Sequence, residues 1–523
     1  MKSRILVSGI AVAAVLSLAA CSSGAPAGEA SVEPEQGGTL EYAINAQPGT
    51  GGLDPIIASN QASAVFQSQI YQSLLTRDEN GTIEPQLASD YEIVDELTYD
   101  FTIRDGVQFS DGSDLTVDDV VFSFDTWNAS SSSRKALIRG LASVEATDES
   151  TVRFTFSEPN GSFLNGVAGN NVFHVFSQEW YESTPEDERQ RSAMGTGPFQ
   201  LGEWNDGVNL VLDRNENYWE DGLPVVDAID FQIVPDESAR LALAQQGSVD
   251  IASFTDAAVA EQAEEAGYTI GDAAYTRKLA IYLNPAPDSP LADVRIRQAL
   301  SLSLDREQIV ELATGGFGAV SLHVAAGDPA APEIDEDTPN YTRDLDAAEE
   351  LLADAGYAGE PIELSYPSDY TVDDIPVFEV LQQQAAEAGI NVQLVATPWA
   401  DISRIFTYGE SWTDMVAIWN RWNPDMGGYF TQLLVDDQAM AYFDGLPDAD
   451  RARELYAELM SETDPDTRQE LSDELNDEVA EQVLVLIPVA KAEAIEVWDD
   501  TVVGGYESDP YTWRLNLKNA FLK

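Results

Sequence analysis

A mixed α/β body behind an N-terminal address segment is the architecture this sequence predicts, on three observations. Half-buried strand patterns recur along the chain. Well-marked helix starts are interleaved with them. The 523 residues, 44% of them apolar, are enough for about three packed structural units and set the chain apart from disordered types.

The strand patterns have period two. Tyr99, Phe101 and Ile103 alternate with polar residues, as do Val152, Phe154 and Phe156, then Val208, Leu210 and Leu212, then Ile229, Phe231 and Ile233. Such alternation places one face on a core and the other toward water. Asp105-Gly106 and Asp111-Gly112 supply turns between strands. Gly195 and Gly197 allow a tight backbone.

The helix starts are local and chemical. Thr116 caps a helix whose N3 residue is Asp119, with Leu115 and Val120 as a hydrophobic staple. Asp305 stands before Gln308 in the same way, with Leu304 and Ile309 as the staple, and that helix stops at Gly315-Gly316. The run from Asp344 to Ala355 ends at Gly356, a good residue just past a helix end.

The N-terminus reads as an address. Lys2 and Arg4 precede a short apolar stretch, residues 5–20, below the ~18–20 residues a bilayer span requires. Leu18-Ala19-Ala20-Cys21 matches the bacterial lipobox, so residues 1–20 are expected to be a signal peptide and Cys21 a lipidation site. Two or more acyl chains give stable anchoring. Residues 21–38, rich in Ser, Gly, Ala, Pro and Glu, are expected to be a flexible lipidated tether, with the folded body beginning near Thr39. No later segment is apolar enough to span a membrane.

Charge and chemistry narrow the function. Asp and Glu total 92 against 27 Lys and Arg, a net of -65. Nucleic acid and bare anionic membrane are therefore poor partners. The acidity is read as a solubility device, with attraction of cationic solutes as the sharper alternative. Cys21 is the sole cysteine, so no internal disulfide forms. There is no H-E-x-x-H, G-x-S-x-G or Walker motif. The two histidines, His174 and His323, are far apart in sequence and are assigned structural or surface roles. No metal site and no cofactor is expected. Acidic pairs such as Asp118-Asp119 and Asp373-Asp374 are what so many carboxylates produce by chance. A secreted enzyme remains the alternative class, with a surface sensor or chaperone as a third.

Five segments in order carry a family resemblance. They are residues 85–124 (PQLASDYEIVDELTYDFTIRDGVQFSDGSDLTVDDVVFSF), the GTGPF of 195–199 with Arg214-Asn215 and Tyr218-Trp219, residues 235–251 (PDESARLALAQQGSVDI), residues 293–306 (DVRIRQALSLSLDR) and residues 344–357 (DLDAAEELLADAGY). Behind a lipobox, this order resembles the family 5 extracellular solute-binding proteins of ABC importers, the dipeptide-, oligopeptide- and nickel-binding group. The resemblance implies a two-lobed periplasmic-binding-protein-like clamp (type II, cluster C) with an extra inserted domain. Residues 39–70 would begin lobe one, 71–194 form the insertion, 195–280 return to lobe one, 281–484 build lobe two, and 485–523 finish lobe one. It implies a monomer, lipid-anchored on the extracytoplasmic face of a cell membrane, a Gram-positive surface by composition. Closure around a small solute would precede delivery to ABC permease subunits, with an ATPase elsewhere supplying energy.

The resemblance also points to the ligand site. Peptide-binding members hold the amino terminus with an Asp after a Trp in a W-x-x-D segment. Here Asp414-Met415 and Trp419 look like its start, but Trp422 stands where that Asp is expected, and Asp425 follows three residues later. Trp422, Trp419, Arg421 and Asp425 are the candidate ligand-binding residues. Trp422 would stack on the solute. Trp419 is placed in either core or cleft. Arg421 meets either a ligand carboxylate through a two-pronged hydrogen bond or a carboxylate of the protein. Trp399 and Trp412 are assigned to core or edge, and Arg295, Arg297 and Arg306 to local ion pairs and caps. A peptide is the favoured solute, an oligosaccharide or other stacking solute the alternative. Nickel is poorly supported, because imidazole and thiolate ligands are nearly missing.

Overall fold

The computed structural model describes residues 34–523 except 59, 79–80, 131–132, 170–172, 272–276, 315–317, 322–337, 369–374, 409–412, 422–429, 431–449, 484, 487–488, 492–493 and 509–514. Two seven-stranded sheets, each covered on both faces, organise two lobes.

The first sheet runs in the order 269–270, 495–498, 251–254, 39–44, 228–233, 209–214, 199–205. Thr39–Ile44 lies at its centre, parallel to Ala228–Ile233 on one side and to Ile251–Phe254 on the other. Alternation sorts its side chains: Leu40, Tyr42 and Ile44 join one core, while Ala43 joins the core on the opposite face with Leu241, Phe254 and Val497. Ile229, Phe231 and Ile233 are buried as their pattern predicts. Val208 is a correction. It is 65% exposed because the strand begins at Asn209, and Val208 sits in the hairpin turn, donating its N–H to Asn205 O. The body also begins earlier than Thr39. Gly37 and Gly38 adopt positive φ, and Gly37 N donates to Val225 O, which seats this end of the expected tether against the sheet.

Within the segment 71–194, strands 88–95, 98–103, 151–156 and 141–146 pair in that order, all antiparallel. Helix Val117–Ala129 carries the predicted capping box: Asp119 N donates to Thr116 Oγ1, and Thr116 N donates to Asp119 Oδ2. The box starts the helix where Val120, Phe124 and Trp127 turn inward. Phe124 meets Phe154 edge-to-face at 4.7 Å, and Phe163 packs among Tyr99, Phe154 and Phe156. This core is continuous with that of the first sheet; Phe154 and Tyr42 belong to one buried cluster. The re-entry at Gly195 and Gly197 explains both glycines, since a Cβ would fall 2.0 Å from Ile70 O at the first and 2.5 Å from Gln69 O at the second.

The second sheet runs 318–319, 490–491, 277–283, 415–421, 362–367, 392–397, with 485–486 also on 277–283. Arg277–Leu283 is its central strand. Leu279, Ile281 and Leu283 enter one core, and Ala280 and Tyr282 the other. Two predicted boundaries are corrected here. The break at 280/281 cuts through this strand, and strands 485–486 and 490–491 pair with it rather than with the first sheet. The return therefore falls between Lys491 and Ile495, not at 485.

Arg295, Arg297 and Arg306 of this lobe act locally. Arg295 pairs with Asp293 at 2.5 Å. Arg297 is buried and donates to the carbonyls of Gln482 and Leu291; burial brings its guanidinium down to about 10. Arg306 donates to Tyr341 O and Ser301 O, lies over the Tyr341 ring at 4.2 Å, and is also pushed down by burial. Asp344 and Gly356 close their helix as predicted, Gly356 at φ 74°. His174 is buried with its ring 5.1 Å from that of Tyr71, a structural placement; His323 lies outside the described residues. Among the described residues no helix is long and apolar enough to cross a membrane.

Candidate ligand-binding cleft

The strand directions locate the site. In the first sheet, Ile44, Ile233 and Phe254 are carboxyl ends on one side. Ile495 pairs with Phe254, and Gly271 N donates to Glu496 O. The two segments that join the lobes, 271–276 and 492–494, therefore leave from that same side. In the second sheet, 362–367, 392–397 and 415–421 run parallel and end at Pro367, Thr397 and Arg421. Arg277, where the chain enters, pairs with Arg421 and with Lys491, where it leaves. Both lobes thus turn the carboxyl ends of their parallel strands toward the crossing. Open α/β sheets bind ligands outside those ends, because the connecting loops there converge.

On the first lobe this rim is built by the loop that follows Ile44. Asp54 is fully buried, accepts from the N–H groups of Ile56 and Ile57 at 2.9 and 3.1 Å, and pairs with Arg189 Nε at 2.8 Å. Arg189 also donates to Thr184 O and lies over the Tyr181 ring at 3.9 Å. Gly52 has φ 59°, and a Cβ there would fall 1.9 Å from Gln190 O. Asn60 accepts from Ser63 N, starting helix 61–70, and donates to Thr50 O. The loop is thereby pinned to the insertion. Beneath it, Tyr42 and Tyr506 both donate to Glu496, beside the second crossing. Burial and that carboxylate push the Tyr42 phenol well above its ordinary value, so it stays a donor.

On the second lobe, Met415 and Ala417 enter one core and Val416 and Ile418 the other. Trp419 follows the first face. It is partly buried against that core, with the Arg277 guanidinium 5.1 Å from its ring centroid. Trp419 thus packs on the edge of the core on the strand that ends at the cleft. Arg421 closes the strand, and its side chain lies outside the described residues, as do Trp422, Asp425 and Trp412. Trp399 is neither core nor covered edge. It is 50% exposed at the start of helix Trp399–Tyr408, two residues past the carboxyl end at Thr397. The features that sequence reading missed here are Trp399 and Arg277, which stands at the start of the strand beside Arg421. The one available signal was the scarcity of positive charge elsewhere.

A separate pocket of about 410 Å³ lies in the first lobe against the insertion, lined by Gln69, Gln72, Arg77, Trp219, Glu220 and Lys518 among others. Its wall is a closed network. Lys518 Nζ pairs with Glu220 at 2.7 Å, Tyr218 donates to Glu220, and Trp219 Nε1 donates to Gln72 at 3.0 Å. Burial and Glu220 raise the Tyr218 phenol. Tyr218–Glu220 follow Asp213, which pairs with the amino end of 228–233, so this wall stands away from the crossing. Among the described residues no group of three or more His, Cys, Asp or Glu is arranged to hold a metal ion.

Comparison with known proteins agrees with this geometry. Residues 82–472 match the family model of bacterial extracellular solute-binding proteins, family 5. The chain belongs to that family, whose fold is the two-lobed clamp and whose members are binding proteins. It is similar to the oligopeptide-binding protein AppA of Bacillus subtilis, 27% identical over 432 residues, covering 76% of this chain and 77% of that one. It is similar also to heme-binding protein A of Haemophilus influenzae, 26% identical over 473 residues, covering 81% and 82%. Among solved structures, NikA of Brucella suis in complex with Fe(III)-EDTA superposes with a TM-score of 0.79 at 21% identity, over 93% of this chain and 100% of that one.

Proposed function

We propose that this chain is the substrate-binding subunit of an ABC importer, anchored by lipid on Cys21 at the extracytoplasmic face of a membrane. It captures oligopeptides or dipeptides by closure of its two lobes and delivers them to permease subunits. One observation carries the reading: two independent sheets direct the carboxyl ends of their parallel strands at the pair of segments that joins them. Few connections at one side permit hinge motion, and a solute seated there is touched by both lobes only when they shut. Relatives named for oligopeptides and for glutathione support the peptide class. A non-peptide solute is the second reading, favoured by the half-exposed Trp399 on the rim and by a structural neighbour solved with agropinic acid.

A thermal-shift comparison of pooled di- to pentapeptides with pooled oligosaccharides tests this. A ligand at a hundred times its Kd adds about 2.7 kcal/mol to the folded state. A rise in melting temperature with peptides alone supports the peptide reading. A rise with sugars alone replaces it by the second.

A further inference from the structure

The two lobes also meet at a point where the chain does not join them. In the insertion, strand Thr151–Phe156 leads through residues 157–162 to helix Phe163–Ala168. This turn is held from within the insertion. Asn160 Nδ2 donates to Leu137 O and Arg139 O, both at 3.1 Å, and Asn160 O accepts from the Tyr99 hydroxyl at 3.3 Å. Its other side meets the second lobe, where helix Asp450–Ser461 turns into helix Pro465–Gln482. Gly161 N donates to Met460 O at 2.7 Å, and Ser162 Oγ donates to Met460 Sδ at 3.4 Å. Phe163 and Leu459, which flank this contact, belong to separate buried clusters.

Helix chemistry explains why a contact forms here. The last four carbonyls of a helix have no partner within it. At the end of Asp450–Ser461, Arg468 Nη1 donates to Leu459 O at 2.6 Å and to Glu462 O, just past the end, at 3.0 Å. Met460 O is satisfied from the other lobe. Helix Pro465–Gln482 reaches its own core through Leu475 and Val479, the first of them roughly 15 Å along at 1.5 Å per residue. None of the contacting residues belongs to the crossing segments 271–276 and 492–494, so rotation about those segments pulls on the contact.

Gly161 is the steric key. A Cβ there would fall 2.1 Å from Arg468 Nη1, 2.4 Å from Glu462 O and 2.9 Å from Leu459 O. All three atoms belong to the second lobe. Gly161 does not adopt a positive φ, so its own turn accepts alanine and the cost of a side chain falls on the contact.

We propose that this contact is a latch of the closed clamp. Gly161 and Ser162 seat on the Met460 turn when the lobes shut and leave it when they open, and Gly161 is the positioning residue that permits the fit. The inference rests on capture by closure and goes beyond it. It gives the insertion a part in holding the solute without touching it, by stabilising the shut form and slowing release.

The test compares Gly161→Ala with wild type in the full chain. Cys21→Ala, Val208→Cys and Leu312→Cys are present in both, to carry spin labels on exposed positions of the two lobes. Pulsed electron resonance reads the distance between lobes, empty and with a pool of di- to pentapeptides. Tryptophan fluorescence follows titration with the same pool and release on dilution, and melting without solute is the folding control. Gly161→Ala should melt as wild type when empty, populate longer distances, need about tenfold more peptide and release it about tenfold faster, the scale of one hydrogen bond lost from the shut form. Identical distances in both proteins, empty and loaded, overturn the latch; if the pool still binds and shortens them, capture by closure stands without it. If the pool does not bind wild type, the peptide reading fails, while longer distances in empty Gly161→Ala than in empty wild type still uphold the latch. If Gly161→Ala melts lower when empty or does not fold, deuterium exchange of the Gly161 amide in wild type decides. Protection that rises with the pool upholds the latch, and equal protection with and without it makes the contact permanent and overturns it.

Discussion

Truncating Asp54 tests whether the first-lobe rim is held by its tie to the insertion. Asp54→Ala removes the acceptor of two backbone N–H groups and the partner of Arg189, whose side chain is only 11% exposed. Removing one member of a buried pair costs about 3–5 kcal/mol, because the other charge stays behind without compensation. Arg189 keeps Thr184 O and the Tyr181 ring, which sets the expected loss near the lower bound, about 3 kcal/mol. Asp54→Asn retains an acceptor for Ile56 and Ile57 and should lose less. Asp54→Ala with Arg189→Met removes the stranded charge and should recover part of the loss. Urea unfolding followed by tryptophan fluorescence reads these differences, compared as midpoints, since a chain of several lobes need not unfold in one step. A single variant within about 1 kcal/mol of wild type would refute the argument. So would a double variant less stable than Asp54→Ala.

Three further outcomes follow from the same reasoning. Asp293 caps helix Val294–Ser303 and is held below its ordinary pKa by hydrogen bonds from Arg295. That stabilisation is complete above the unfolded carboxylate value near 3.9 and is lost as pH falls through the lower folded value. Asp293→Ala should therefore cost about 1 kcal/mol at neutral pH, and its melting temperature should approach that of wild type below about pH 4; a constant gap across the titration would contradict this. Trp422→Ala should weaken solute binding by more than about 1 kcal/mol while the melting temperature without solute holds, the scale of one stacking contact; unchanged affinity takes Trp422 out of the site. Cys21→Ala should release or mislocalise the protein in cell fractionation without altering the melting of the body, and normal anchoring would sink the lipidation reading.

The local parts of the fold were legible because their signals are local. Thr116 with Asp119, Asp305 with Gln308, and Asp344 with Gly356 each decide a helix end within a few residues, and each is found in place. Period two found the half-buried strands, and failed at Val208, which continues the alternation but stands in a turn. The lobe boundary was missed for a related reason. Arg277–Leu283 is buried on both faces and shows no alternation, while 485–486 and 490–491 are two residues long and carry no period at all. Of the candidate site, the strand that leads to it was legible. Trp419 and Arg421 lie on the strand that ends at the cleft. The pairing of Arg277 with Arg421 was not legible, because register joins residues that are far apart in the chain. Trp399 reads from its neighbours as ordinary packing, and only the position of its helix past Thr397 exposes it.

Closure around a peptide is the central claim, and a distance across the lobes tests it most directly. Cys21 is the sole native cysteine, so with Cys21→Ala two introduced thiols can be labelled without interference. Val208 on the first lobe and Leu312 on the second are 65% and 58% exposed and accept spin labels without disturbing a core. Pulsed electron resonance on Val208→Cys with Leu312→Cys should show a broad distance distribution without solute. On addition of the peptide pool, a shorter and narrower population should grow. A distribution that stays unchanged while the same pool raises the melting temperature would contradict capture by closure.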